Sequence, residues 1–390
     1  MHSEAWIDEE LAELLKKNLE RRTQVYSEAG GKIAFMGRMF LNFSSNDYLG
    51  LARHPYVIST SRGYLEYDGC GATSSRLVTG TLSPHYVLEQ RIAALKGYPE
   101  ALVFGSGFLA NIGVIAALAG RGDHVFADKL AHASIIDGIV LSRANLKRFH
   151  HNDPDHLKKL LGQCPLSGRK LVVTESVFSM DGDLAPLPEI AATAVESGAM
   201  IMVDEAHATG VFGPGGSGLI REHGLEGKIN VSMGTLSKAL GGYGGFIAGS
   251  PALRQLLVNR SRAFIYTTGL PPAVAGSALG ALAVIEKAGG LGVELLRRAA
   301  IFRQRLHEGG LNTLNSKSQI VPVLIGENAK TLAVAQRLKS KGILAAAIRP
   351  PTVPEGTARL RLSITMAHTD HDLERAAAEI IAEVRRELRN

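Results

Sequence analysis

Cysteine is nearly absent from this chain of 390 residues: Cys70 and Cys164 are the only two. They are too few for a disulfide framework and have no CxxC or Cys/His spacing for zinc, so a reducing compartment and no metal site are expected. Aromatic residues make up only 6%, and few of them stand among the scattered basic residues. Lys and Arg number 43 against 37 Asp and Glu, a formal charge of +6, but that mixed pattern speaks against a nucleic-acid surface and for small anionic partners. No run of about 18 uncharged apolar residues occurs. The start of the chain is acidic, with Asp8-Glu9-Glu10 and no apolar signal-peptide core, so the expectation is a cytoplasmic protein with no membrane contact. Internal repeats and low-complexity segments are also missing.

What is present is a globular composition, 45% hydrophobic and 21% charged with 43 Gly and 15 Pro, which excludes disordered and collagen-like classes. Leu11, Leu14, Leu15 and Leu19 at helical spacing predict an amphipathic helix over Ile7–Tyr26. Short apolar runs then alternate with Ala/Leu-rich stretches: Ala101–Phe104, His124–Ala127, Leu171–Thr174, Met200–Val203 and Gly245–Ala248. Strands apolar on both faces are what a mostly parallel sheet covered by helices requires. A connecting helix is expected from about Ala273 to Leu311, followed by strands over Ile320–Ile325 and Arg359–Ile364 around a helix near 329–341. The Pro/Gly-rich run Arg349–Gly356 reads as a loop. The predicted organisation is an N-terminal helical arm (1–40), a large domain (41–285) and a small C-terminal α/β domain (286–390).

Four segments carry residues suited to chemistry. Gly105-Ser106-Gly107-Phe108-Leu109-Ala110 follows a strand and opens a helix, presenting bare N–H groups as an anion cradle; read alone it is also compatible with a dinucleotide turn or a tight turn that merely needs glycine. Asp204 ends an apolar strand, where ligands of open α/β sheets bind, and a bound cationic ring nitrogen would give it a partner. His207 follows three residues later, and Lys238 lies 34 residues after Asp204 in Thr235-Leu236-Ser237-Lys238. In a partly desolvated, cation-rich site the amine of Lys238 would become a nucleophile for an aldehyde, and the hydroxyls of Thr235 and Ser237 could bind phosphate. His132, just past another strand, could stack on a planar ring. Each segment alone has an ordinary structural reading. Together they make the four contacts that pyridoxal 5′-phosphate demands: phosphate anchored, pyridine nitrogen protonated, ring hydroxyl tuned, aldehyde held.

From about Leu41 to His368 the chain resembles the α-oxoamine synthases, aminotransferase-like (fold type I) pyridoxal-phosphate enzymes that condense an amino acid with an acyl-CoA and release carbon dioxide. The resemblance rests on Asn42–Gly50, Gly69–Gly80, Asp128–Ser134, Thr174–Asp183, Asp204–Gly210 and Gly234–Lys238. It implies an α/β fold with a large, mostly parallel sheet domain and a smaller C-terminal α/β domain. The forms of Asp204–Gly213 and Ser44–Tyr48 look most like the member that joins L-alanine to a pimeloyl thioester in biotin synthesis; the alternative is the member that joins glycine to acetyl-CoA.

By position, the resemblance implies Lys238 as the cofactor-linking lysine, Asp204 as the acid at the ring nitrogen, His132 as the stacking histidine, and His207 and Ser179 as ligands of the ring oxygen. Phosphate contacts fall on Gly107, Phe108 and Thr235, with Thr267 or Thr268 reaching in from a second subunit of a homodimer with shared active sites. The substrate carboxylate needs a guanidinium: strand alternation puts Arg359 and Arg361 on one face, and the family's Arg-to-His spacing, here Arg361 to His368, favours Arg361. Asn46 and His85 face substrate or CoA in the family, and Arg21 and Arg22 are the candidates for the acyl-chain carboxylate.

Overall fold

The computed structural model describes residues 4–29, 31–165 and 167–389. The apolar runs read from the sequence form a seven-stranded sheet: β1 (Glu100–Phe104), β2 (His124–Asp128), β3 (Asn145–Phe149), β4 (Lys170–Glu175), β5 (Met200–Asp204), β6 (Val231–Thr235) and β7 (Gly245–Gly249). Their order is β1-β7-β6-β5-β4-β2-β3. Strands β2 to β6 pair in parallel, and β7 runs antiparallel to both neighbours. Two strands were not foreseen: β3, whose Asn-Leu-Lys-Arg-Phe is mostly exposed on the sheet edge, and β6, whose Val-Ser-Met-Gly-Thr looks like a loop by composition yet is wholly buried.

Helices Gly107–Leu118, Ala133–Ser142 and Pro251–Arg260 cover one face. Val114, Ile115, Val125, Val173, Met202 and Ile247 meet there at 2% exposure or less. Truncating one such side chain to Ala costs roughly 2–5 kcal/mol. The helices begin where short polar side chains cap them: Ser106 Oγ accepts from the Leu109 amide, His132 Nδ1 from Ser134 and Ser250 Oγ from Leu253.

The described residues fall into two units. One comprises 46–179 and 183–296 and contains the seven-stranded sheet; the other comprises the residues up to 45, the short excursion 180–182 and the chain from 297 onward. The second unit holds the antiparallel sheet of Ile320–Gly326, Ala358–Ser363 and Ala346–Ile348. Within it Ile343–Leu344 pairs in parallel with Arg38–Asn42.

Two predicted helices are corrected. The N-terminal helix spans Ala5–Lys16 and buries none of its side chains; it ends because Asn18 takes a left-handed φ of 55°, and the residues to Tyr26 are not helical. The stretch 273–311 is two helices, Pro272–Ala288 and Leu291–Glu308. Gly289 and Gly290 between them have φ values of 55° and 74°, a break that glycine tolerates and a continuous helix does not. No helix of the described residues is long and apolar enough to cross a membrane.

Candidate active site

The carboxyl ends of β2, β4, β5 and β6 carry His132, Ser179, Asp204, His207, Thr235 and Lys238, all in the first unit. Asp204 is the last residue of β5 and 5% exposed. Its Oδ1 accepts from the Ala206 amide at 2.8 Å and its Oδ2 from Asn111 Nδ2 at 2.8 Å. His207 lies in the turn that follows, with Nε2 2.8 Å from Lys238 Nζ and Nδ1 2.7 Å from the Tyr48 hydroxyl. Tyr48 is fully buried and donates to Asn46 Oδ1 at 3.1 Å. Lys238, His207, Tyr48 and Asn46 therefore belong to one hydrogen-bonded set.

His132 caps the helix Ala133–Ser142 from the loop after β2. Its amide donates to Glu175 Oε1 at 2.7 Å. His132 is exposed by surface area yet has protein groups around its ring, and its pKa lies below the usual value: desolvation lowers it most, Lys238 adds to that, and Asp204 and Asp137 oppose. Glu175 sits at the end of β4, where burial first and Asp204 second hold its carboxyl well above the usual carboxylate range.

An anion cradle stands at the start of helix Gly107–Leu118. Ser106 Oγ and its carbonyl serve Leu109 and Ala110, leaving the amides of Gly107 and Phe108 outside the helical ladder. A Cβ on Gly245 of β7 would come within 2.6 Å of the Gly107 nitrogen, so only glycine lets strand and turn approach. Thr235, at the end of β6, donates its hydroxyl to the Gly244 carbonyl at 2.8 Å and accepts from the Ser237 amide at 3.2 Å. Ser179, half-buried, follows β4 in the same unit.

Several expected residues behave differently. His85 is fully buried; Nε2 bonds the Leu270 carbonyl at 2.8 Å and Nδ1 accepts from the Leu82 amide at 3.0 Å. Nδ1 thereby caps the helix that begins at Ser83, and Nε2 ties His85 to the segment before helix Pro272–Ala288. Thr267 donates to the Ala263 carbonyl at 2.6 Å, and Thr268 is exposed and bridges Ser75.

Arg21, Arg22 and Arg361 lie in the other unit. Arg22 is exposed and its Nε donates to Glu20 at 2.9 Å, whereas Arg21 donates to Thr352 at 3.3 Å and lines a cavity of about 120 Å³ with Arg349 and Ile348. Arg349 Nε is buried without a hydrogen-bond partner, and desolvation, then Arg21, lowers its pKa. Arg361 is 6% exposed with Nη1 2.9 Å from Ser363 Oγ. Arg359, on the same face, is engaged by Asp181.

Sequence reading missed Asn111 and Glu175 as members of the site. Asn111 sits amid an Ala/Leu helix, and only the polar interruption of that helix signalled it. Among the described residues no cluster of three or more His, Cys, Asp or Glu could hold a metal ion.

The family model for aminotransferase class I and II matches residues 38–380. The chain belongs to that family. An 8-amino-7-oxononanoate synthase from Geobacter sulfurreducens is 46% identical over 382 residues, 97% of each chain; one from Anaeromyxobacter dehalogenans is 46% identical over 364 residues, 93% of this chain and 91% of its own. Among solved structures, a serine palmitoyltransferase from S. paucimobilis with bound PLP–myriocin is 33% identical with a TM-score of 0.93, covering 99% of this chain and 98% of that one. The mostly parallel sheet and the fold type I architecture expected from the sequence are those of the family.

Proposed function

We propose that this chain is a pyridoxal-phosphate-dependent C-acyltransferase that condenses L-alanine with a pimeloyl thioester, yielding 8-amino-7-oxononanoate, carbon dioxide and the free thiol carrier. The observation that carries the reading is the near full-length similarity to 8-amino-7-oxononanoate synthases in a chain whose Lys238, His207 and Tyr48 form one hydrogen-bonded set. The donor set fits the cofactor: an amine for an aldehyde, a carboxylate for a ring nitrogen, an imidazole beside the amine, and a helix start with glycine-bared amides for phosphate.

When bound, pyridoxal phosphate supplies an electron-accepting ring that stabilises negative charge on the carbon next to the substrate nitrogen. Lys238 Nζ would hold the aldehyde of the cofactor and, as a free amine, would take the proton from alanine Cα. A C–C bond forms between that carbon and the thioester carbonyl, the C–S bond breaks, and the alanine carboxylate leaves as carbon dioxide; Lys238 then returns a proton to the same carbon. Asp204 would hold a proton at the ring nitrogen, His207 and Ser179 would bind the ring oxygen, and His132 would stack on the ring. Gly107, Phe108 and Thr235 bind phosphate, joined by Thr267 or Thr268 from the second copy of a homodimer.

Arg361 binds the alanine carboxylate. Arg21, rather than the Glu20-paired Arg22, binds the distal carboxylate of the acyl chain; two guanidinium groups around one cavity in the second unit support that choice.

Steady-state assays of the loaded enzyme with alanine, glycine or serine, each paired with pimeloyl-, acetyl- or palmitoyl-CoA, test the reading, with products identified by mass. Alanine with the pimeloyl thioester should give the highest kcat/KM. A higher value for glycine with acetyl-CoA, or for serine with palmitoyl-CoA, would overturn it.

A further inference from the structure

Asn111 and Ser134 link the acid and the imidazole of the site through a chain of hydrogen bonds whose direction is fixed by chemistry. Asn111 is 1% exposed, and its Nδ2 lies 2.8 Å from Asp204 Oδ2 and 2.9 Å from Ser134 Oγ, while its Oδ1 is buried without a partner. A carboxylate oxygen accepts, so the amide nitrogen must face Asp204, and its second hydrogen goes to Ser134 Oγ. That leaves the Ser134 hydroxyl hydrogen for His132 Nδ1, 2.8 Å away. The Ser134 amide also points at Nδ1, at 3.2 Å. A backbone amide only donates, so Nδ1 is an acceptor and the ring proton lies on the other nitrogen.

We propose that Asn111 and Ser134 are positioning residues that hold His132 as a neutral imidazole with its proton on Nε2. Both touch other protein groups and neither is assigned a contact with cofactor or substrate. The inference deepens the functional reading and rests on it only in that His132 serves the reaction. The charged groups around the ring act in both directions: Lys238 opposes protonation, Asp204 and Asp137 favour it, and Glu175 accepts from the His132 amide rather than from the ring. The two donors on Nδ1 tip that balance toward the neutral ring, because each occupies the lone pair that a proton would need. A neutral ring can lie over an electron-poor cofactor without adding a positive charge and can still give or take a proton through Nε2.

The test is nitrogen-detected NMR of histidine-labelled enzyme, with and without cofactor, the His132 signals being assigned by their loss in His132→Gln. The parent should show an unprotonated Nδ1 and a protonated Nε2 at neutral pH. Ser134→Ala should raise the titration midpoint of His132 by roughly half a unit to one unit, the worth of one neutral hydrogen bond. The acid limb of kcat/KM should move up with it. Asn111→Ala should shift the midpoint in the same direction, and the double variant should shift it by no more than the larger single change, because the Ser134 hydroxyl is aimed by Asn111.

A proton on Nδ1 of the parent, or an unchanged His132 midpoint in both folded single variants, would overturn the inference. The substrate assignment would stand either way, since the NMR readout needs no turnover. Loss of activity with an unmoved midpoint would leave Asn111 and Ser134 as packing residues only.

Discussion

Lys238 Nζ lies 2.8 Å from Nε2 of His207. The amine donates to that nitrogen, so the ring proton resides on Nδ1 and is given to the Tyr48 oxygen at 2.7 Å, while the Tyr48 hydroxyl hydrogen goes to Asn46. Lys238→Ala should retain the fold and bind cofactor without a covalent link, with turnover falling by at least about 10²–10⁴-fold. Tyr48→Phe removes the hydroxyl that joins His207 to Asn46 and should lower kcat by about five- to thirtyfold, roughly the 1–2 kcal/mol of two neutral hydrogen bonds. Absorbance of the lysine-linked cofactor together with single-turnover rates separates the two: a Lys238→Ala protein with parental spectrum and rate removes the lysine from its role.

Asp204→Asn keeps the shape of the site but takes away the charge that, in the proposed reading, would hold a proton on the cofactor ring. Exchange of the alanine Cα proton should slow far more than alanine binding weakens. Isotope exchange into alanine measures this without the acyl substrate. An Asn variant within about tenfold of parent, about 1.4 kcal/mol in barrier, would take the ring-nitrogen role away from Asp204.

The turn that bears His207 hangs on a buried ion pair. Lys96 Nζ, 1% exposed, is 2.5 Å from Glu205 Oε2 and 2.6 Å from the Ser217 carbonyl, and Glu205 Oε1 accepts from the Ile220 amide. Lys96→Met strands the carboxylate in the core and should cost about 3–5 kcal/mol. Lys96→Met with Glu205→Gln removes both charges and should cost less. Chemical denaturation of the two variants decides, and a double variant less stable than the single one contradicts this account.

His151 bridges the end of β2 and the loop that bears Asp183, with Nδ1 3.0 Å from Asp128 and Nε2 2.8 Å from Asp183. Burial pulls its pKa down, but the two carboxylates outweigh it and raise the value from 6.5 to about 10. The folded pKa exceeds the unfolded one, so this stabilisation is complete below about pH 6.5 and fades as the pH rises toward 10. His151→Gln should therefore lose most stability relative to parent near pH 6 and least near pH 10. Urea midpoints across that range check it; a deficit that grows with pH contradicts the assignment.

A site completed by Thr267 or Thr268 of a second copy requires a two-fold dimer. Mixing Lys238→Ala subunits with subunits carrying Thr267→Val and Thr268→Val should restore activity above that of either parent stock, since one site of each mixed dimer receives only intact contributions. Confirmed subunit exchange without recovery would leave both threonines as loop residues.

Five of the seven sheet strands were legible because their faces are both buried, and apolar runs such as Leu171–Thr174 and Met200–Val203 record that directly. The edge strand β3 was not, since exposure removes the apolar signal, and β6 was not, because Ser232 and Gly234 owe their burial to neighbouring elements. Asp204, His207, His132 and Lys238 were singled out by residue type and by their places beside strand ends. Only the tertiary structure joined them to Asn111, Tyr48 and Glu175, which come from distant segments and whose side chains carry no local mark of the partners that folding brings. It also gave Arg21 and Arg22 different partners and buried His85, because adjacent or similar residues differ in surroundings through what packs around them. Periodicity and strand-end position are properties of a few consecutive residues and so belong to the sequence, whereas hydrogen-bond direction and burial depend on groups brought together from across the fold.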